Sequence, residues 1–241
     1  MIYVETVILA GLAQVWEATQ VPCSHQRWDL RFHEITQASG ATCQPQRFRY
    51  SVRVLPGLVI AGHGISAGER SRPDGISTSA LRFASPHWLS PIRCGAGYWR
   101  YLPCDEGIRF LTGYDYQPGW GRVGPAADLL FRPLLGWATA WSFDRLRLWL
   151  ETGRSPEHLF RRAMLELLAR IAAGGAALLP SIPPAVTAAV VSAAVLVPPR
   201  RGTPAARRCR RRPRRAAGRG QPRPSLRWSR HALHLPTRPR P

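Results

Sequence analysis

Through most of its N-terminal half the chain alternates apolar and polar residues at a period of two, and beyond it the period becomes that of a helix. The alternation is cleanest over residues 46–55. There Phe48, Tyr50, Val52 and Val54 fall on one side and Arg47, Arg49, Ser51 and Arg53 on the other, which predicts a strand with one wet face. A first strand over residues 2–10 ends at Gly11, and Leu12, Val15, Trp16 and Thr19 then share a helical face until Pro22. A short turn over 23–27 leads into residues 28–36, where Trp28, Leu30 and Phe32 alternate with Asp29, Arg31 and His33, predicting a second strand. Pro56 and Gly57, and later Arg72 to Gly75, mark turns into strands over 58–68 and 76–85, the latter with Leu81 and Phe83 inward and Arg82 outward. Strands over 92–102 and 107–116 complete a set of seven. In the last, Ile108, Phe110, Thr112, Tyr114 and Tyr116 oppose Arg109 and Asp115.

A long helix is predicted over 123–153, with Leu130, Leu134, Trp137, Trp141 and Leu148 at spacings of threes, fours and sevens forming its buried stripe. Gly136 inside it costs about 1 kcal/mol against Ala, and Gly153 ends it. Such a stripe needs an apolar trough, and a curved antiparallel sheet supplies one. The fold class is therefore α+β, a curved seven-stranded antiparallel sheet wrapped around a long C-terminal helix. Ser155 as N-cap, Pro156 and Glu157 open a helical extension over 154–175. Residues 171–199 carry no charge, but Pro180, Pro183 and Pro184 interrupt them, so 176–199 reads as an Ala/Pro linker. Residues 200–241, made largely of Arg, Pro, Ala and Gly, are expected to be disordered.

With 241 residues and 45% hydrophobic content the chain can form one core of ordinary size. The net charge of +20 suggests a nucleic-acid binder until it is mapped. All 14 acidic residues and 19 of the 34 basic ones lie before Arg200, leaving only +5 there, so the excess belongs to the tail. That tail is expected to make at most weak, non-specific contact with anions or anionic membranes. Cys23, Cys43, Cys94, Cys104 and Cys209 match neither a zinc template nor a disulfide framework, and free thiols in the cytoplasm are expected. The first residues lack a basic n-region and a small-residue cleavage site, so no signal peptide is expected.

Three stretches carry a family resemblance. "VWEATQVPCSHQRWDLRF" (15–32) places a Trp on the first helix, a Pro-containing break and a second Trp in succession. "DEGIRFLTGYDYQP" (105–118) and "GWATAWSFDRLRLWLE" (136–151) supply a last strand and a closing helix. Over residues 1–153 the chain resembles the SRPBCC superfamily, which includes START, polyketide cyclase/dehydrase and pollen-allergen-like helix-grip domains. The resemblance implies a deep, mostly apolar cavity between the long helix and the concave sheet.

The inward-facing set that would line this cavity is Trp28, Phe32, Tyr50, Phe83, Trp99, Tyr101, Thr112, Tyr114, Tyr116, Trp137 and Trp141. Flat side chains with single polar tips suit a planar or polycyclic ligand. No catalytic residue, metal site or cofactor is expected. His25, His33, His63 and His87 are read as structural, since no carboxylate is evidently placed to orient them. The Gly62 to Gly68 stretch resembles a phosphate loop, but no helix follows it. Asp144 with Arg147, and Arg147 with Glu151, read as solvent-side helix pairs. The expected function is binding of a small hydrophobic ligand, lipid or aromatic polyketide-like. The alternatives are a cyclase/aromatase-like enzyme using the same cavity and a membrane-associated protein tethered through residues 171–199.

Overall fold

Among the described residues the period-two stretches form seven antiparallel strands in one sheet, which lie side by side in the order first, seventh, sixth, fifth, fourth, third, second. They are β1 (Ile2–Ile8), β2 (Glu34–Gln37), β3 (Arg47–Leu55), β4 (Leu58–Ser71), β5 (Ser77–Ala84), β6 (Ile92–Cys104) and β7 (Gly107–Pro118). The computed structural model describes residues 1–37, 47–55 and 58–213, and of residues 37, 53–55 and 58 only the backbone. The Val54 side chain, the turn at Pro56 and Gly57, Cys43 and residues 214–241 of the tail lie outside what is described. Helices α1 (Leu12–Gln20) and α2 (Pro22–Trp28) follow β1, and α3 (Gly124–Thr152), α4 (Pro156–Ala176) and α5 (Pro184–Leu196) follow the sheet.

The strand expected over 28–36 begins six residues late. Pro22 occupies the first turn of α2, where its missing N–H leaves no bond unmade, and the helix runs on to Trp28. The Trp28 indole is fully buried and its Nε1 donates to the Ala18 carbonyl at 2.8 Å, while Leu30 is left exposed. Trp28, Leu30 and Phe32 therefore do not share a strand face.

The other faces match the alternation. Pairings such as Val4↔Thr112, Phe110↔Tyr101, Trp99↔Ser79, Phe83↔Gly64 and Tyr50↔Gly62 gather these residues on the concave side. Bulges at Arg53/Leu55, Ser66/Gly68 and Ile92/Cys94 break the register and bend the sheet. The glycine-rich 62–68 segment is part of β4. A Cβ at Gly62 would fall 2.2 Å from the Tyr50 ring, and one at Gly64 2.0 Å from that of Phe48. Glycine there lets each cross-strand ring lie flat on the sheet.

The register of α3 differs from the expected one. Phe143 stacks on Phe110 with ring centroids 4.6 Å apart, and Phe131, Leu135, Thr139 and Leu146 share its side of the helix. At 3.6 residues per turn, the predicted stripe lies on the opposite side. Its first half is exposed, with Leu130 at 69%, Leu134 at 54% and Trp137 at 48%. Its second half is covered by later chain: Trp141 meets Phe160 of α4 edge-on at 6.2 Å. Apolar side chains surround this helix, so periodicity alone does not select which face meets the sheet. The left-handed Gly153, φ 70°, ends it as expected.

Residues 176–210 depart from the linker-and-tail expectation. After α5 the chain returns to α3, where Thr203, Ala205, Ala206 and Cys209 are buried. The Asp144 carboxylate is fully buried rather than on a solvent face. It accepts from the Ala205 amide at 2.8 Å, from Arg208 at 3.0 Å and from Arg147 at 2.8 Å. Glu5 and Arg210 exchange both backbone hydrogen bonds, at 2.9 and 2.8 Å, which covers part of the free edge of β1. Small side chains and one buried acceptor dock a segment that composition marks as unable to build a core of its own.

Candidate ligand-binding site

Among the described residues α3 packs on β1 and β7, α1 on β7 and α2 on β2, and no helix packs comparably on β3, β4 or β5. The concave face is thus closed at one end and open at the other. Nine of the eleven expected lining residues divide among the closed end, the open end and the floor between them, and the other two lie on the wrong side of α3.

Trp28, Tyr101 and Thr112 belong to the closed end. Trp28 stands 6.0 Å from Phe143, and the Tyr101 ring lies 5.1 Å from Phe110. Their polar tips are all engaged: the Tyr101 hydroxyl meets Thr19 at 2.6 Å and the Gln20 amide at 2.9 Å, and Thr112 donates to the Tyr98 carbonyl. Burial raises the Tyr101 pKa, so it stays a neutral phenol. These three fill a core. Trp137 is exposed and Trp141 is packed against α4, so neither faces the sheet.

Phe32, Tyr50 and Phe83 are half-buried on the open end, with Phe48 and Leu81 on the same face. Tyr50 meets Phe32 edge-on at 5.5 Å, and burial pushes its phenol up to about 12. Trp99, Tyr114 and Tyr116 form the floor between the two ends, each nearly inaccessible. The Tyr114 hydroxyl bonds Thr139 of α3 at 2.7 Å, and the Tyr116 hydroxyl donates to Asp128. Arg132 joins that corner, 2.7 Å from both Asp128 and Asp115 and 4.5 Å over the Tyr116 ring.

A buried network beside this floor was missed. Asp29 is fully buried just past the end of α2. It accepts from the Arg31 backbone at 3.0 Å, from the Arg31 guanidinium at 2.9 and 2.6 Å, and pairs with His25 Nε2 at 3.1 Å. Burial alone would raise its pKa, but the Arg31 charge and the His25 and Arg31 hydrogen bonds outweigh that and hold it well below the usual carboxylate range. With Asp29 ionised, His25 Nε2 is the donor in that hydrogen bond. The imidazole sits among Trp99, Trp28 and Phe32, at 4.9, 5.1 and 5.2 Å. Arg31 in turn lies 5.5 Å over the Tyr114 ring. The signal was legible, since His25 and Asp29 stand four apart; reading residues 28–36 as a strand hid it. Chemically the network offers an oriented imidazole and a fixed guanidinium next to an aromatic wall. Among the described residues no group of three or more His, Cys, Asp or Glu is placed to hold a metal.

No family model matches the chain. The uncharacterized membrane protein YndG of Bacillus subtilis (strain 168) is 46% identical over 166 residues, 68% of this chain and 62% of that protein. The chain thus spans less than two thirds of the length of this curated relative. Solved structures are similar at low identity. Protein SA2116 of Staphylococcus aureus gives a TM-score of 0.46 at 13% identity, over 63% of this chain and 93% of that one. The di-domain ARO/CYC StfQ from the steffimycin biosynthetic pathway gives 0.46 at 12%, over 63% and 50%. A STAR-related lipid transfer protein of Xanthomonas axonopodis gives 0.45 at 16%, over 61% and 82%. Seven antiparallel strands in the order found here, two short helices after the first and a long helix across the concave face give this chain an α+β helix-grip fold.

Proposed function

We propose that the open end of the concave face binds a small hydrophobic molecule, a lipid or an aromatic polyketide-like compound. One observation carries this reading: Phe32, Phe48, Tyr50, Leu81 and Phe83 remain half-buried on a face whose other end is fully packed. Apolar surface left uncovered beside a closed core is what a ligand would cover, at roughly 25 cal/mol per Å². The Tyr50 hydroxyl, with no hydrogen-bond partner among the described residues, would orient a polar group of the ligand. Native mass spectrometry of protein purified without detergent tests the reading, and recovery of a bound lipid or aromatic supports it.

A cyclase-like activity would use the same face and would have to rely on His25. The imidazole is oriented by Asp29 and, among the described residues, has no hydroxyl or thiol bonded to it, so proton transfer and positioning are the chemistry available. Substituting His25 by Gln would remove such an activity while leaving ligand binding within a few-fold.

Association with a membrane is a second reading, favoured by α5, in which no residue is buried. The Bacillus subtilis relative is described as a membrane protein. Among the described residues no helix is long and apolar enough to cross a bilayer. The contact would therefore be made from one side of the bilayer.

A further inference from the structure

The α4–α5 hairpin is apolar where it meets solvent. From Ile171 to Pro199 the chain has no charged residue, and Ile171, Leu178, Leu179, Val186, Val195 and Leu196 are all exposed, Leu178 at 70%. An uncharged helix of 13 residues that buries nothing gains little from water-side packing and needs a cover.

The arrangement of charge identifies the cover. Charged groups gather at the base of the hairpin. Arg170 turns its guanidinium onto the carbonyls of Ala194 and Val197, at 2.9 and 2.7 Å, and onto Glu166 at 2.7 Å. The Arg200 amide lies 3.4 Å from the same carboxylate. Arg154 and Arg162 approach Gly202. Arg200 and Arg201 are exposed. Beyond this basic collar, α5 rises about 20 Å at ~1.5 Å per residue. One leaflet of a bilayer has about 15 Å of hydrocarbon and is roughly 20–22 Å deep with its headgroup region, so the uncharged part matches the depth of a single leaflet and falls short of a span.

The prolines that make residues 171–199 a poor spanning helix suit a tip that enters and turns back. Pro180, Pro183 and Pro184 have no N–H to leave unsatisfied. The amides of Leu178, Leu179, Ile182, Val186 and Thr187 all bond carbonyls within the hairpin, and the Thr187 hydroxyl donates to the Ala177 carbonyl at 2.6 Å. A polar protein partner would find few free groups there. A hydrocarbon layer edged by anionic headgroups satisfies both the bare tip and the arginine collar.

We infer that the α4–α5 hairpin is a monotopic membrane anchor, inserted into one leaflet of an anionic bilayer with the arginine collar at the headgroups. This rests on the membrane-association reading and is independent of the ligand face. The test is flotation of the full chain with phosphatidylcholine vesicles, with and without phosphatidylglycerol, together with hydrogen exchange over residues 177–197. The chain should float with both and more strongly with the anionic vesicles. Exchange over 177–197 should slow on binding. The double variant Leu178→Glu/Val186→Glu, both at exposed positions, should bind at least tenfold less while keeping its circular dichroism and melting temperature. Raised salt should weaken binding without abolishing it. Failure to float at all would overturn both the insertion and the membrane association. Flotation untouched by the double variant and abolished by salt would overturn insertion alone, leaving arginine-driven association. Self-association removed by the double variant, without vesicle binding, would make the hairpin a contact between two copies instead.

Discussion

At the scale of single residues, burial separates aromatic side chains that sequence treats alike. Trp28 is enclosed and hydrogen-bonded, whereas Trp137 is 48% exposed. In denaturant unfolding Trp28→Ala should cost about 3–5 kcal/mol and Trp137→Ala within about 0.5 kcal/mol. Asp29 yields a pH dependence. A carboxyl held below its ordinary range contributes stability that is present above about pH 4 and is lost as pH falls toward its folded value. Asp29→Asn leaves Arg31 buried without its partner, so the variant should be clearly less stable at pH 7. The gap to the unsubstituted protein should narrow as acid unfolding is followed down from pH 5. A gap unchanged at pH 3 would mean that the Asp29 charge contributes nothing to stability. Strand-face positions such as Tyr50, Phe83 and Tyr114 were legible because a period of two leaves no choice of side once a neighbour is fixed. The His25–Asp29 pair had its spacing of four to announce it, but Trp28, Leu30 and Phe32 also fit a strand and local alternation cannot detect that Pro22 starts a helix, so the strand reading hid it.

At the scale of elements, the sheet and the long helix follow from pattern, but the face that α3 presents does not. Its two sides are both apolar, one answering to Phe110 and Tyr114 and the other to Phe160 and residues 203–209. Long-range partners decide between them, and no window along the sequence contains those partners. The docked 200–210 segment was hidden for the same reason: its few small apolar residues are adequate only against a surface already built. Asp144 holds that segment, so Asp144→Ala should free it and cost about 2–3 kcal/mol, by removing the acceptor of the Ala205 amide and leaving Arg208 without a carboxylate and Arg147 with Glu151 alone. Cys209 reports the release. In the intact protein its thiol is buried and pushed up to about 12, chiefly by burial, so it should react slowly with a disulfide reagent at neutral pH, as should buried Cys94. Exposed Cys23 and Cys104 should react at once, and Asp144→Ala should move Cys209 into the fast group. Slow Cys209 in that variant would show the segment is held by something other than the carboxylate.

At the scale of the whole molecule, the chain combines a packed end, an open aromatic face and an apolar hairpin on the far side of α3. The two apolar surfaces are distinct, so hydrophobic-ligand binding and bilayer binding should separate by mutation. A fluorescent fatty-acid analogue titrated into the full chain tests the ligand face most directly. Binding should be saturable at one site. Leu81→Trp, which adds bulk over Gly97 at the centre of the open face, should weaken it at least tenfold, while Trp137→Ala and Leu178→Glu/Val186→Glu leave it within a few-fold. Binding that survives Leu81→Trp, or that is lost with the hairpin variant instead, would contradict the account.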